Sequence, residues 1–166
     1  MSTKSPPSAA PSPPDIKRRA DAADPAFVLE DSPFFLMNQA TGAYALAMEH
    51  ALKAVGADIP RWRILMLAQE RGPISVGEIA ALGVLKLPTA TKVVQRLALE
   101  GLLQVTRSAA DGRVTEVTCT PAGADMVAKV RAVASARFHE AFDAFTAAEI
   151  DSMNGMLRRI HDAFTR

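Results

Sequence analysis

Apolar residues recur at helical spacing in the segment that follows residue 32. Ser32 suits a helix N-cap, Pro33 suits the first helical position, and Gly56 follows the last apolar residue of the run. The positions three or four residues apart are Leu36, Ala40, Ala43, Tyr44, Ala47, Met48, Ala51, Leu52 and Val55. This spacing predicts a long helix with one apolar side.

Three shorter helices are predicted between this helix and residue 101. The first covers 60–71 and ends before a Gly-Pro pair. The second opens with SVGE at 75–78, which has the form of a capping box, and ends at Gly83. The third begins at Pro88 and ends before Gly101. Two short helices joined by a few residues that include a glycine are typical of a helix-turn-helix.

Two segments with alternating apolar residues follow the third of these helices. They are LLQVTR at 102–107 and VTEVTCT at 114–120, and both are rich in β-branched residues. The pair Asp111-Gly112 lies between them and is a strong signal for a tight turn. The pattern predicts a β-hairpin directly after the helix-turn-helix.

Two further helices are predicted at the end of the chain. Thr120-Pro121 begins a long one, and TAAE at 146–149 is a second capping box that begins the last. The apolar residues of the last helix step by three and four at Ile150, Met153, Leu157, Ile160 and Phe164. Because so narrow a seam needs a facing partner, we expect the terminal helices to pair with those of a second copy of the chain.

These elements predict a mainly α fold with a small β-hairpin wing, a winged helix-turn-helix flanked by helices that form a dimerisation base. Residues 1–31 hold six of the eleven prolines and few large apolar groups, so they are predicted to be a flexible tail. The predicted domains are a helical dimerisation region at 32–57 and 121–166, and a DNA-binding domain at 58–120.

Composition excludes several classes of protein. The single cysteine, Cys119, excludes an internal disulfide framework and a cysteine-based zinc site. The sequence has no apolar run long enough for a membrane span and no secretory signal, so a cytoplasmic location is expected. Sequence motifs of nucleotide-binding or hydrolytic enzymes are absent, and His50, His139 and His161 are scattered. We therefore expect neither an enzyme, nor a cofactor, nor a metal site.

Basic residues are concentrated around the predicted third helix and hairpin. The whole chain has a net charge of +1, yet residues 86–113 carry five basic residues against two acidic ones. In a helix-turn-helix the second helix presents its N-terminal residues to the major groove of DNA. The candidate DNA contacts are Lys86, Thr89, Thr91, Lys92, Gln95, Arg96, Arg107 and Arg113. The alternatives are an ordinary solvated helix face and a winged helix that binds protein instead of DNA.

Two stretches carry a resemblance to a known family. LPTATKVVQRLALEGLLQVTR at 87–107 and DGRVTEVTCTPAG at 111–123 resemble the recognition helix and wing of the MarR family of transcription regulators. The chain departs from the family at Leu87, where serine is usual, and at Cys119, where leucine is usual. The resemblance implies that Arg113 enters the minor groove and that Asp111 helps to hold the wing. It also implies a homodimeric regulator, usually a repressor, that binds a palindrome.

An effector pocket is predicted on the helices around the winged domain. Trp62 is followed by Arg63, and an aromatic ring beside a cation suits a planar carboxylate or thioester ligand. The first long helix loosely resembles that of MarR members that sense aromatic acids or their coenzyme A thioesters. The candidate ligand contacts are Met37, Asn38, Tyr44, Trp62, Arg63, Met66, Phe138 and His139. The alternatives are a Trp62 that belongs to the core or an interface, and redox sensing by Cys119.

Overall fold

The computed structural model of the protein describes residues 13–108 and 110–165. The elements along the chain are α1 (Pro13–Ala20), a 3-10 helix (Leu29–Asp31), α2 (Pro33–Lys53), α3 (Ile59–Arg71), β1 (Ile74–Ser75), α4 (Val76–Leu82), α5 (Leu87–Leu99), β2 (Leu103–Arg107), β3 (Thr115–Cys119), α6 (Pro121–Phe142) and α7 (Ala147–Phe164). The predicted fold class, mainly α with a small β wing, is confirmed. The chain forms two compact units, which divide after Leu46.

The first unit contains elements that the sequence did not predict. Helix α1 and the 3-10 helix both lie within the segment 1–31, of which residues 1–12 are outside the described part. Arg18 pairs with Asp24 at 3.0 Å, and Arg19 pairs with Asp31 at 2.5 Å. The Val28 amide also donates to the Arg19 carbonyl at 2.8 Å. These contacts are polar, so a search for apolar periodicity could not find them.

The second unit is built around the predicted helix-turn-helix. Asp58 caps α3 by accepting from the Arg61 amide at 2.8 Å, so the helix begins one residue before Pro60. Helix α4 begins with the predicted capping box, in which Ser75 and Glu78 satisfy each other's backbone amides. Helix α5 begins at Leu87, one residue before the predicted start, and Lys86 at its N-cap makes no side-chain cap.

The hairpin belongs to a three-stranded antiparallel sheet in the order β1-β3-β2. Val117 on the central strand β3 is paired with Ile74 on one side and Val105 on the other. Strand β1 was not predicted, because two residues are too short to show alternation. Its pairing joins the start of α4 to the wing.

The tip of the hairpin is longer than a two-residue turn. The strands end at Arg107 and resume at Thr115, and the Val114 amide donates to the Asp111 carbonyl at 2.8 Å. Gly112 does not have the left-handed φ that a two-residue type I′ turn would require. The predicted Asp-Gly turn is therefore present at 111–114, but as part of a broader loop.

One apolar core fixes α5 against the rest of this unit. Ala90, Val94 and Leu97 are buried and lie on one side of the helix. They belong to a cluster that also contains Ile64, Leu65, Ala68, Ile74, Ile79, Ala80, Leu103, Val117 and Val127. The opposite side of α5 is thereby left exposed to solvent.

The two C-terminal helices begin at the predicted caps. Thr120 accepts from the Gly123 amide at the start of α6, and Thr146 and Glu149 form a capping box at the start of α7. None of the residues that the structure describes in α7 is buried. Leu157 and Phe164 of the predicted seam are exposed, while Ile150, Met153 and Ile160 are partly buried. The apolar seam is thus accessible to a facing helix.

Candidate nucleic-acid interface

The exposed side of α5 carries most of the predicted DNA contacts. Lys86, Thr89, Lys92, Gln95 and Arg96 are all exposed. This exposure follows from the core, because the three buried positions of α5 leave these residues on the remaining face.

Thr91 has a different environment from the other predicted contacts on α5. It is half-buried, and its hydroxyl donates to the Leu87 carbonyl at 2.9 Å. The bond spans one turn of the helix and fixes the hydroxyl against the backbone. The side chain of Thr91 is therefore constrained, unlike a freely rotating surface threonine.

A groove of about 440 Å³ lies between α5 and the wing. Thr91 and Gln95 line one side, and Arg113 and Thr115 line the other. The groove thus brings together three predicted DNA contacts from two elements. The other five, which are Lys86, Thr89, Lys92, Arg96 and Arg107, do not line it.

Arg113 projects from the wing and is held by Asp111. Its side chain is 91% exposed, yet its Nε and Nη2 donate to the two Asp111 carboxylate oxygens at 3.1 and 3.2 Å. The Arg113 amide donates to the same carboxylate at 3.0 Å. The side-chain bonds and then the amide bond hold the pKa of Asp111 below its usual value. Asp111 therefore fixes the direction of an otherwise free guanidinium.

Arg107 stabilises the wing from the opposite strand. Its Nη1 donates to the Gly112 carbonyl at 2.9 Å, across the tip of the hairpin. Arg107 remains exposed, so its charge still contributes to the potential of this face.

No signal in the sequence predicts the ion pair at the end of α5, which joins a buried arginine to an exposed glutamate. Arg61 is 8% exposed, and its two terminal nitrogens donate to the two oxygens of Glu100 at 2.8 and 2.5 Å. Arg96, a predicted DNA contact, donates its Nε to Glu100 at 3.1 Å. The hydrogen bonds from Arg61, more than those from Arg96, hold the pKa of Glu100 below its usual value. The residues are 39 positions apart, so only the tertiary fold brings them together.

A second cavity contains three of the predicted effector contacts. Trp62, Arg63 and Met66 line a space of about 340 Å³. Its other lining residues are Leu67 of α3, Leu82 at the end of α4, and Gly83 and Val84 of the turn before α5. A cavity of this size suits a small organic molecule. Trp62 also packs against the buried cluster of Met48, Leu52, Ala57 and Val130. Trp62 therefore has both a core contact and a cavity contact.

The other predicted effector contacts lie on α6 and α2. Phe138 stacks on Phe142 with ring centroids 5.2 Å apart, and His139 Nδ1 lies 2.9 Å from Asp143 Oδ1. Neither Phe138 nor His139 lines the cavity. Met37, Asn38 and Tyr44 lie on α2 within the first unit, where Asn38 and Tyr44 are exposed and Met37 is partly buried.

Cys119 is partly buried. Its Sγ lies 4.0 Å from the Leu102 carbonyl oxygen, and burial raises the pKa of the thiol. A Cβ on Gly123 would lie 2.7 Å from the sulfur, so α6 passes close over it. Among the residues that the structure describes, no group of His, Cys, Asp and Glu side chains could hold a metal ion. Within the same residues, every helix is too short or too polar to cross a bilayer.

In this chain, a helix with an exposed basic face packs in a helix-turn-helix, beside a hairpin that carries an outward arginine. These features define the class of winged helix-turn-helix proteins. The model of the MarR family matches residues 58–115. The HTH-type transcriptional repressor IacR of Pseudomonas putida is 36% identical over 137 residues, which are 82% of each chain. The chain belongs to the MarR family.

Two solved structures have the same fold. CouR from Rhodococcus jostii RHA1, bound to p-coumaroyl-CoA, matches with a TM-score of 0.74 and 23% identity, over 80% of this chain and 94% of CouR. Bordetella bronchiseptica BpsR, whose DNA binding is regulated by 6-hydroxynicotinic acid, matches with a TM-score of 0.72 and 20% identity, over 82% and 97%. MarR regulators are DNA-binding proteins rather than enzymes, act as dimers and bind small-molecule ligands.

Proposed function

We propose that this MarR-type repressor binds a palindromic operator through α5 and the wing and is released by an aromatic acid or its coenzyme A thioester. The observation that carries the DNA-binding part is the groove shared by Thr91, Gln95 and Arg113. Helix α5 enters the major groove, and Arg113, held by Asp111, enters the adjacent minor groove. Lys86, Thr89, Lys92, Arg96 and Arg107 add base or phosphate contacts from the same basic face.

The division of the chain follows from this role. Residues 58–120 form the DNA-binding domain, and 32–57 with 121–166 form the dimerisation region. The exposed apolar residues of α7 support the second assignment, because they are available to a second copy. A twofold axis then places two α5 helices in successive major grooves, about 34–36 Å apart.

DNA binding is tested with duplexes selected by the protein from a random-sequence library. The selected site is expected to be a palindrome. Fluorescence anisotropy is then measured for wild type and for Arg113→Ala, with the exposed Lys129→Ala on α6 as a control for lost charge. We expect Arg113→Ala to weaken operator binding by about tenfold or more. Unchanged affinity of Arg113→Ala at physiological salt would exclude the wing as a DNA contact.

The salt dependence separates phosphate contacts from base contacts. Each phosphate contact contributes about 0.9 to the slope of log K against log salt concentration. Lys86→Ala and Lys92→Ala are therefore each expected to lower this slope by about 0.9, whereas Lys129→Ala leaves it unchanged. Slopes equal to that of wild type would show that neither lysine contacts a phosphate.

The effector class rests on the cavity at Trp62, Arg63 and Met66. An indole ring and a thioether supply apolar walls, and a guanidinium supplies a partner for an anion. The ligands of CouR and BpsR, p-coumaroyl-CoA and 6-hydroxynicotinic acid, belong to the proposed class. Met37, Asn38, Tyr44, Phe138 and His139 remain candidate contacts on the other helices.

The effector class is tested with 6-hydroxynicotinate, p-coumarate and p-coumaroyl-CoA. Trp62 is the only tryptophan, so its fluorescence reports directly on this cavity. We expect at least one compound to change the emission, raise the melting temperature and weaken operator binding. If none of the three does so, the proposed effector class is wrong. Redox sensing through Cys119 is disfavoured, because burial of the thiol disfavours the reactive thiolate.

A further inference from the structure

Helix α3 contacts the helix-turn-helix at two places through two arginines that flank Trp62. Arg61 reaches Glu100, the residue directly after the last residue of α5. Arg63 reaches the carbonyl of Gly83, in the turn that leads into α5. One helix therefore contacts the C-terminal end of the recognition helix and the start of the turn that leads into it, where Gly83 caps α4.

The contact at the C-terminal end is a strong one. Arg61 and Glu100 are joined by two parallel hydrogen bonds of 2.8 and 2.5 Å between charged groups, and Arg61 is almost fully buried. Bidentate pairs of this kind are fixed in geometry, and breaking one leaves a buried charge without compensation. This end of α5 is consequently expected to stay in place while other parts of the domain move.

The contact at Gly83, the residue that caps α4, is weaker. Arg63 Nη1 donates one hydrogen bond of 3.1 Å to a neutral carbonyl. The next residue, Val84, has a φ of +52°, a conformation that β-branched residues rarely adopt. A strained turn persists only while its surroundings hold it. The Arg63 bond is one of the contacts that can do so.

The weaker contact faces the cavity. Arg63 and Gly83 both line it, together with Trp62 and Met66. A carboxylate accepts hydrogen bonds from a guanidinium more strongly than a neutral carbonyl does. An anion in the cavity would therefore compete with Gly83 for Arg63, whereas neither Arg61 nor Glu100 lines the cavity.

We propose that α3 holds the helix-turn-helix at a fixed contact, Arg61–Glu100 at the end of α5, and at a releasable contact, Arg63–Gly83 at the start of the turn that leads into α5. An aromatic carboxylate in the cavity then draws Arg63 away from Gly83. The inference rests on the proposed effector class. The ligand then binds more tightly to the state in which the turn before α5 is free, and this difference in affinity weakens DNA binding. The N-terminal part of α5 moves, and that part carries Lys86 and Thr89.

The test compares two variants of α3 with a control on the same helix. Arg63→Met removes the releasable contact, Arg61→Lys weakens the fixed one, and Arg71→Met removes an exposed arginine that lines neither groove nor cavity. Operator affinity is measured with and without saturating 6-hydroxynicotinate or p-coumarate, and ligand affinity is measured by Trp62 fluorescence. All assays are made well below the melting temperature of each variant.

We expect Arg63→Met to weaken operator binding several-fold without ligand and to lower ligand affinity by about tenfold. Saturating ligand should then release little further Arg63→Met protein from the operator. Arg61→Lys should weaken operator binding equally with and without ligand, so that the ratio of the two affinities is preserved. Arg71→Met should match wild type in every measurement.

Two results would overturn the inference. The first is an Arg63→Met variant that binds the ligand and is released from DNA as wild type is. The second is an Arg63→Met variant with wild-type operator affinity in the absence of ligand. If neither probe acts on wild type, and p-coumaroyl-CoA does not act either, the proposed effector class fails. The ligand-free affinity of Arg63→Met alone then decides whether this residue holds the turn. A several-fold loss in that measurement supports the holding role.

Discussion

The carboxylate of Asp111 accepts hydrogen bonds from both the backbone amide and the guanidinium of Arg113. An arginine that is 91% exposed would otherwise sample many rotamers, and each would have to be abandoned on binding. The acidic residue thus prepares the basic one for a single orientation. Its own negative charge, which repels phosphate, is offset by the adjacent guanidinium.

This relationship predicts a non-additive effect on DNA binding. Asp111→Ala is expected to weaken operator binding a few-fold although it removes a negative charge, because Arg113 loses its orientation. In the Arg113→Ala background, Asp111→Ala should not weaken operator binding. A double-mutant cycle, with affinities measured by fluorescence anisotropy, tests this expectation. Additive losses would show that the two residues act independently.

The Arg61–Glu100 pair predicts a specific pH dependence of stability. The pKa of Glu100 is lowered in the folded state, so its contribution is present above the ordinary glutamate pKa of about 4.3 and is lost as the pH falls through the lower folded value. Glu100→Gln should therefore be less stable than wild type at neutral pH, and the difference should shrink below about pH 4. Urea midpoints measured from pH 7 to pH 3 test this, and a constant difference would contradict it.

Two leucines on α5 form a matched pair for the role of the core. Leu97 is fully buried, whereas Leu99 is 90% exposed. Leu97→Ala is expected to lower the free energy of unfolding by about 2 to 5 kcal/mol, because it removes packed methyl groups and leaves a cavity. Leu99→Ala should change it by no more than about 0.5 kcal/mol. Urea unfolding of both variants measures these losses. Similar losses in the two variants would show that α5 does not pack as described.

The environment of Cys119 predicts slow thiol chemistry. Because burial raises the pKa of this thiol, alkylation by iodoacetamide at neutral pH should be much slower in the folded protein than in urea. Cys119→Ala should bind the operator as wild type does, before and after peroxide treatment. Fast labelling of the folded protein, together with peroxide-sensitive DNA binding that Cys119→Ala abolishes, would restore the redox alternative.

Much of the fold follows from short-range sequence features. The capping boxes Ser75–Glu78 and Thr146–Glu149 join residues three positions apart, so the chain needs no tertiary context to show where α4 and α7 begin. The Asp111 turn and the alternation in β2 and β3 are local in the same way. Helix α1 escaped prediction because its contacts are polar, and β1 because it is two residues long.

The candidate site was only partly accessible from sequence. Position along an amphipathic helix was enough to place Lys86, Thr89, Lys92 and Gln95 on the exposed side of α5. It could not show that Arg113 shares a groove with Thr91, or that Trp62, Arg63 and Met66 share a cavity with the turn before α5, since these neighbours come from separate elements.

The sequence by itself determined the order of the elements, their caps, the basic stretch and the MarR resemblance, because each depends on residues close together in the chain. Only the tertiary structure decided that α3 contacts both the end of the recognition helix and the turn that leads into it. The partners there are 39 and 20 residues apart, and their meeting depends on how the buried faces of α3, α4 and α5 pack around one core. An arginine side chain is long and charged enough to bond to many acceptors on the chain. The packing of the helices determines that Glu100 and Gly83 are the two acceptors within reach.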